Sequence, residues 1–107
     1  MIESKQLEKS ILEQCDSVSQ WLKAIAQPVR LKILCALLEG EKTVTQLVGY
    51  CEVSQSAMSQ YLARMSESGL LIRRRAGQKI LYRIRSQRTI DFLKAVKRIL
   101  CESQPDQ

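Results

Sequence analysis

Hydrophobic spacing in this chain changes character once, and that change limits the folds open to it. Up to Gly69 the apolar residues recur at helical intervals. The two runs that follow, LLIRRR and KILYRIR, are short and β-type, and only Ala76, Gly77 and Gln78 separate them. Gly77 permits a tight turn, so the pair reads as a hairpin. After Ser86 the helical interval returns. The expected fold is mainly α with one small β-hairpin.

The helices can be placed by their punctuation. Residues 3–26 read as one helix, with Leu7, Ile11, Val18, Leu22 and Ile25 at helical spacing and Trp21 beside them. Its N-terminal half is too sparse in apolar residues to be deeply buried in a monomer. Pro28 suits the first turn of a second helix and Gly40 suits its end. VRLKILCALLE is apolar on most sides, which predicts a central position and apolar surroundings for Cys35. Thr43 and Gln46 fit a capping box opening a third helix that ends near Tyr50. Ser54 can cap a fourth helix from Gln55 to about Ser68, closed by Gly69, with Met58, Leu62 and Met65 as its buried stripe. Ser86 can cap a last helix from Gln87 to about Cys101, with Ile90, Leu93, Val96 and Leu100 as its stripe.

Two short helices, the second with a polar outer face, make a helix-turn-helix, and a basic hairpin directly after them makes a wing. The outer face of the second helix offers Ser54, Gln55, Ser56, Ser59, Gln60 and Arg64. Such a helix fits the major groove, where Gln can pair bidentately with adenine and Ser can serve base or phosphate. The wing supplies Arg73, Arg74, Arg75 and Lys79 for phosphates or the adjacent minor groove. Charge supports this reading. The net charge is +6, and from Arg64 to Arg88 eight basic residues face one acid, Glu67. Such a cluster points to a polyanion partner. The expected partner is double-stranded operator DNA.

The 107 residues suit a single domain, 1–107, and the 45% apolar content suffices for one small core that dimerisation would help. No apolar run approaches the ~20 residues that cross a membrane. The N-terminus has no signal-peptide pattern. The expected location is the cytoplasm, with Cys15, Cys35, Cys51 and Cys101 reduced at rest. There is no histidine and no CxxC, so neither a structural zinc nor any other cofactor is expected, and an enzyme is not.

SQSAMSQYLARMSESGLLIRRRAGQKILYRI resembles the recognition helix and wing of ArsR/SmtB-type bacterial repressors, and QPVRLKILCALLEGEKTVTQL fits upstream of it. The likeness covers roughly residues 18–101. It implies a winged helix-turn-helix homodimer built on the first and last helices, bound to an inverted repeat. Many members sense metals. In one metal pattern, cysteines open the third helix, where this chain has Thr43, Val44, Thr45, Gln46, Leu47 and Val48. In another, His and carboxylates lie on the last helix, which here offers Asp91 and Glu102 alone.

Cys35 in LKILCALL and Cys101 in KRILCESQ, 66 residues later, resemble the thiol-switch branch of the family. That resemblance implies a repressor that binds DNA when reduced. It would release DNA when Cys35 and Cys101 are cross-linked by a small sulfane-sulfur or oxidant inducer. An ArsR-type repressor sensing a soft metal and a small thiol oxidoreductase are the competing readings. Bottom-up, an α-helical step of about 100° per residue places Cys101 about 20° from Ile90, off the Leu93–Leu100 stripe. Lys97 and Arg98 would be its neighbours, favouring thiolate, while the helix C-terminus opposes it. Cys15 and Cys51 have no matching role.

Overall fold

The computed structural model describes residues 2–102, with side chains over 10–101. The element order is α1 (Ile2–Ile25), α2 (Pro28–Leu37), α3 (Val44–Cys51), α4 (Gln55–Glu67), β1 (Leu71–Ala76), β2 (Lys79–Ile84) and α5 (Gln87–Lys97). A π-helical segment, Arg98–Glu102, follows α5. The chain divides into two compact units, residues 1–31 and 32–107, with the boundary inside α2.

In the first unit α1 ends where Gln27 takes over. The Gln27 carboxamide oxygen accepts from the Arg30 amide at 2.8 Å, and Arg30 Nη1 donates to the Ala24 carbonyl at 3.0 Å. One side chain thus opens α2 while another closes α1, satisfying groups that helix ends leave free. Ile11, Leu12, Val18 and Leu22 are exposed on α1, as its sparse stripe predicts for a single chain. The side chain of Leu7, expected on the same stripe, lies outside the described residues.

The second unit holds the core. Ile33, Leu34 and Leu37 of α2, Leu47 of α3, and Met58, Leu62 and Met65 of α4 are all buried. Leu70, Leu71, Tyr82, Ile84 and Leu93 complete it. Each such side chain contributes roughly 1.5–3 kcal/mol through burial. Thr43 closes its capping box in full, accepting from the Gln46 amide at 3.2 Å while Gln46 Oε1 accepts from the Thr43 amide at 2.9 Å. Ser54 caps α4 by accepting from the Ala57 amide at 3.0 Å.

The strands pair antiparallel from Leu71↔Ile84 to Ala76↔Lys79, leaving Gly77 and Gln78 as a two-residue turn. Gly77 has φ +65° and Gln78 does not share the positive sign, the pattern of a type II′ turn that matches strand twist. Lys42 adds a single-residue bridge to the outer edge of β2. Its amide donates to the Tyr82 carbonyl at 3.1 Å and its carbonyl accepts from the Tyr82 amide at 2.9 Å. The α2–α3 loop is therefore stitched to the wing.

Two expectations need correction. Cys35 was expected among apolar neighbours, but α2 buries Ile33, Leu34, Ala36 and Leu37 and leaves Cys35 exposed. A helix that is apolar all round does not reveal which face the core will take. The last helix also does not run on in α form to Cys101. It widens into a π-helix at Arg98, and Leu100, expected on the buried stripe, is 60% exposed, as is Ile99.

Candidate nucleic-acid interface and thiol site

The outer face of α4 is polar by construction. Met58, Leu62 and Met65 turn inward, so Gln55, Ser56, Ser59, Gln60 and Arg64 face solvent. Ser54 is exposed as well, though its hydroxyl is already committed to the cap. Four side chains with donors and acceptors, and one cation, are thus offered along one face without a carboxylate among them.

The wing cations divide between two faces. Alternation along β1 puts Arg73 and Arg75 on one side, and Arg74 on the other with Lys79 through the strand pairing. All four are exposed. Arg74 is not unpartnered. Its Nε and Nη2 donate to the two oxygens of Glu41 at 2.8 and 2.7 Å, a bidentate pair across 33 residues. That hydrogen bond holds the Glu41 carboxyl below its usual range and raises Arg74. Arg74 must exchange a carboxylate for a phosphate to touch DNA, whereas Arg75 and Lys79 need not.

Near the wing sits a polar cluster that periodicity did not reveal. Lys42 is 8% exposed. Its Nζ lies 3.4 Å from Glu39 Oε1 and 5.0 Å from the centre of the Tyr50 ring. The Tyr50 hydroxyl donates to the same Glu39 oxygen at 3.1 Å. A nearly buried ammonium is tolerable only with such partners. The signal in EGEK was too short to read, because it depends on Tyr50 from another helix.

All four cysteines are free thiols. Cys15 is exposed on α1, where its Sγ–H donates to the Ile11 carbonyl at 3.3 Å. Cys51 is 1% exposed at the end of α3, and burial pushes its thiol up. Cys35 is also pushed up, first by partial desolvation of its sulfur, then by the Cys101 thiol. Lys97 pulls it down. Two cysteines far apart in sequence therefore lie within electrostatic reach of each other. Lys97, read from the sequence as a neighbour of Cys101, acts on Cys35. Among the described residues, no group of three His, Cys, Asp or Glu is placed to hold a metal ion. The side chain of Glu102, named with Asp91 as a carboxylate of the last helix, lies outside the described residues.

Residues 27–73 match the family model for the bacterial regulatory proteins of the arsR family. The transcriptional activator HlyU of Vibrio cholerae is 38% identical over 82 residues, which is 77% of this chain and 76% of that one. The chain belongs to the ArsR family. The family's members are DNA-binding transcriptional regulators rather than enzymes. The transcriptional repressor BigR from Xylella fastidiosa superposes on this ArsR-family chain with a TM-score of 0.81 and 31% identity. That match covers 88% of this chain and 96% of BigR. A Mycobacterium bovis domain, described as a homodimeric winged helix-turn-helix, superposes with a TM-score of 0.71 at 26% identity, covering 91% and 90%. No helix among the described residues is long and apolar enough to cross a membrane.

Proposed function

We propose that this ArsR-family regulator is a dimeric repressor switched by a pair of thiols. It binds an inverted-repeat operator when Cys35 and Cys101 are reduced. Cross-linking of the two thiols by sulfane sulfur or an oxidant releases it. The observation that carries the reading is that Cys35 and Cys101, far apart in sequence, are both exposed free thiols, with Cys101 near enough to act on Cys35. The similarity to HlyU and BigR supports it.

Gln55, Ser56, Ser59 and Gln60 read bases, Arg64, Arg75 and Lys79 hold phosphate, and Ser54 sets the helix start. Dimerisation would cover the exposed Ile11, Leu12, Val18 and Leu22 of α1 and Ile99 and Leu100 of the π-segment. Two recognition helices then sit about 34 Å apart, one turn of DNA. A bridge ties the last helix to α2 and changes that spacing. To reverse occupancy from 99:1 to 1:99, it must disfavour the DNA-bound state by about 5.5 kcal/mol.

The test follows operator binding and thiol state together, by gel shift and by mass spectrometry of the intact protein. Cys35→Ser and Cys101→Ser should bind operator normally and ignore the inducer, while Cys15→Ser and Cys51→Ser respond as the native chain does. Release of operator by an inducer-treated Cys101→Ser protein ends this mechanism.

A further inference from the structure

Between the end of α2, the end of β2 and one face of α5 lies a cleft of about 340 Å³ that neither Cys35 nor Cys101 lines. Three local features shape it. Helix α2 stops at Leu37, and the chain turns away through Gly40 at φ +135°, a conformation open to glycine. The paired Lys42 and Tyr82 backbones hold that turn against β2. On the far side Gln87, Ile90 and Lys94 stand three and four residues apart within α5, so they share one face, and all three line the cleft.

The cleft is aliphatic at its floor and charged at its rim. Leu37 and Ile84 are buried, Leu38 and Ile90 half-buried, and these four make the floor. Glu39, Glu41, Arg83 and Lys94 make the rim. Two acids and two cations would cancel, but the acids are already engaged. Glu41 gives both oxygens to Arg74 at 2.7 and 2.8 Å. Glu39 holds the Lys42 ammonium at 3.4 Å and accepts from the Tyr50 hydroxyl at 3.1 Å. Arg83 and Lys94 are exposed, and among the described residues neither side chain makes a hydrogen bond or an ion pair. Arg83 acts on Glu41 through space alone, adding to what Arg74 does to that carboxyl. An apolar floor thus lies under two uncommitted cations.

We propose that this cleft is an effector site for a small aliphatic carboxylate, with its hydrocarbon chain on Leu37, Leu38, Ile84 and Ile90 and its carboxylate between Arg83 and Lys94. The volume sits at the low end of the range of about 300–1,000 Å³ for small-ligand sites, which favours a short chain over a nucleotide or a peptide. No aromatic side chain lines the cleft, so nothing there stacks a planar ring. Strand pairing puts Arg83 on the same face of the hairpin as Arg74 and Lys79. A carboxylate on Arg83 neutralises a cation of that face and weakens its attraction to phosphate. Operator and ligand therefore oppose each other, each lowering the affinity for the other by one factor. The effect on DNA rests on the wing's proposed phosphate contacts; the binding of a carboxylate does not, and it uses neither thiol.

Isothermal titration calorimetry of the full-length reduced protein with butanoate, hexanoate and octanoate measures the site, with hexan-1-ol and hexylammonium as head-group controls. Each added methylene should tighten binding about two- to fourfold as it covers the floor. Arg83→Gln and Lys94→Gln change exposed side chains, and each should weaken hexanoate about two- to fivefold while leaving hexan-1-ol unmoved. Hexan-1-ol and hexylammonium lack the anion for both cations and should bind about tenfold more weakly than hexanoate. Ile90→Ser should weaken hexanoate and hexan-1-ol alike. A protein carrying both Cys35→Ser and Cys101→Ser should bind hexanoate as the native chain does. At saturating octanoate, operator affinity in a gel shift should fall about two- to fivefold, the loss of one exposed charge contact. No binding, hexanoate binding indifferent to Arg83, Lys94 and Ile90, or a preference for hexylammonium overturns the site. Binding at the cleft with operator affinity unchanged overturns its role as an effector site.

Discussion

Helix α4 and the C-terminal helix are built alike, with an apolar residue every third or fourth position, yet they end differently. In α4 the stripe stays covered to its last turn, where Met65 is as buried as Met58. In the C-terminal helix Leu93 is buried, but Ile99 and Leu100 lie open, and the backbone has loosened from α to π. Helix α4 is completed by its own chain. The element that carries Cys101 has apolar surface left over for a second copy, and so its geometry can answer to events outside the monomer's core.

The sharpest way to break this contrast is to truncate both stripes. Leu62→Ala should cost about 2–5 kcal/mol in urea-induced unfolding, the range for a large core side chain. Leu100→Ala should stay within about 0.5 kcal/mol in a monomeric background, as exposed sites do. It should shift the native chain toward monomer in sedimentation. Equal losses of stability from the two substitutions would erase the distinction.

Next in size is the polar face of α4, proposed to read bases. Gln60→Ala should cost about 1–3 kcal/mol in operator binding and blur one base position, measured against a scrambled competitor at fixed salt. The fold should be untouched, since Gln60 is exposed.

The thiols offer a pH test of the opposite element. Cys35 is raised by partial burial, then by Cys101, so thiolate is scarce at neutral pH. Its alkylation should climb about tenfold per pH unit and keep climbing past the ordinary thiol range. Cys101→Ser removes a like charge and should move the profile to lower pH. Lys97→Met removes an opposite charge and should move it to higher pH. A profile indifferent to both substitutions would mean that the C-terminal element does not reach Cys35. The same raised group ties stability to pH. Folded Cys35 holds its proton more tightly than unfolded, so its contribution is whole below the unfolded value and is lost as pH rises toward the folded one.

The smallest effect concerns the wing. With Glu41 holding Arg74, Arg74→Ala should change the salt slope of DNA binding less than Arg75→Ala, which should flatten it by about one unit. Glu41→Gln releases Arg74 and should steepen the slope by up to about one unit. A slope insensitive to Glu41 would show that the pair opens freely on DNA.

What could be read from the sequence was local. The Thr43 box, the Ser54 and Ser86 caps and the Gly77 turn each depend on residues within four positions, and all are present. The polar face of α4 was legible because Met58, Leu62 and Met65 leave only one way to turn the helix. The rest needed partners far along the chain. The Arg74–Glu41 pair spans 33 residues, and nothing in EGEK marks it. The face of α2 that presents Cys35 was hidden by apolar residues on every side. The widening at Arg98 left no trace in the spacing of Ile90, Leu93, Val96 and Leu100, so the extrapolated angle of Cys101 did not hold.

That widening has a consequence for how the protein tolerates changes in length. A π-turn accommodates one residue more than an α-turn, so the segment Arg98–Glu102 behaves as a one-residue insertion absorbed by the helix. Deleting any single residue between 98 and 100 would restore α phase and swing the terminal thiol by about 100° around the axis. Side-chain swaps at Ile99 would leave the phase alone. The tail that carries Cys101 is therefore frame-sensitive: a deletion that removes no reactive group would still re-aim the Cys101 thiol.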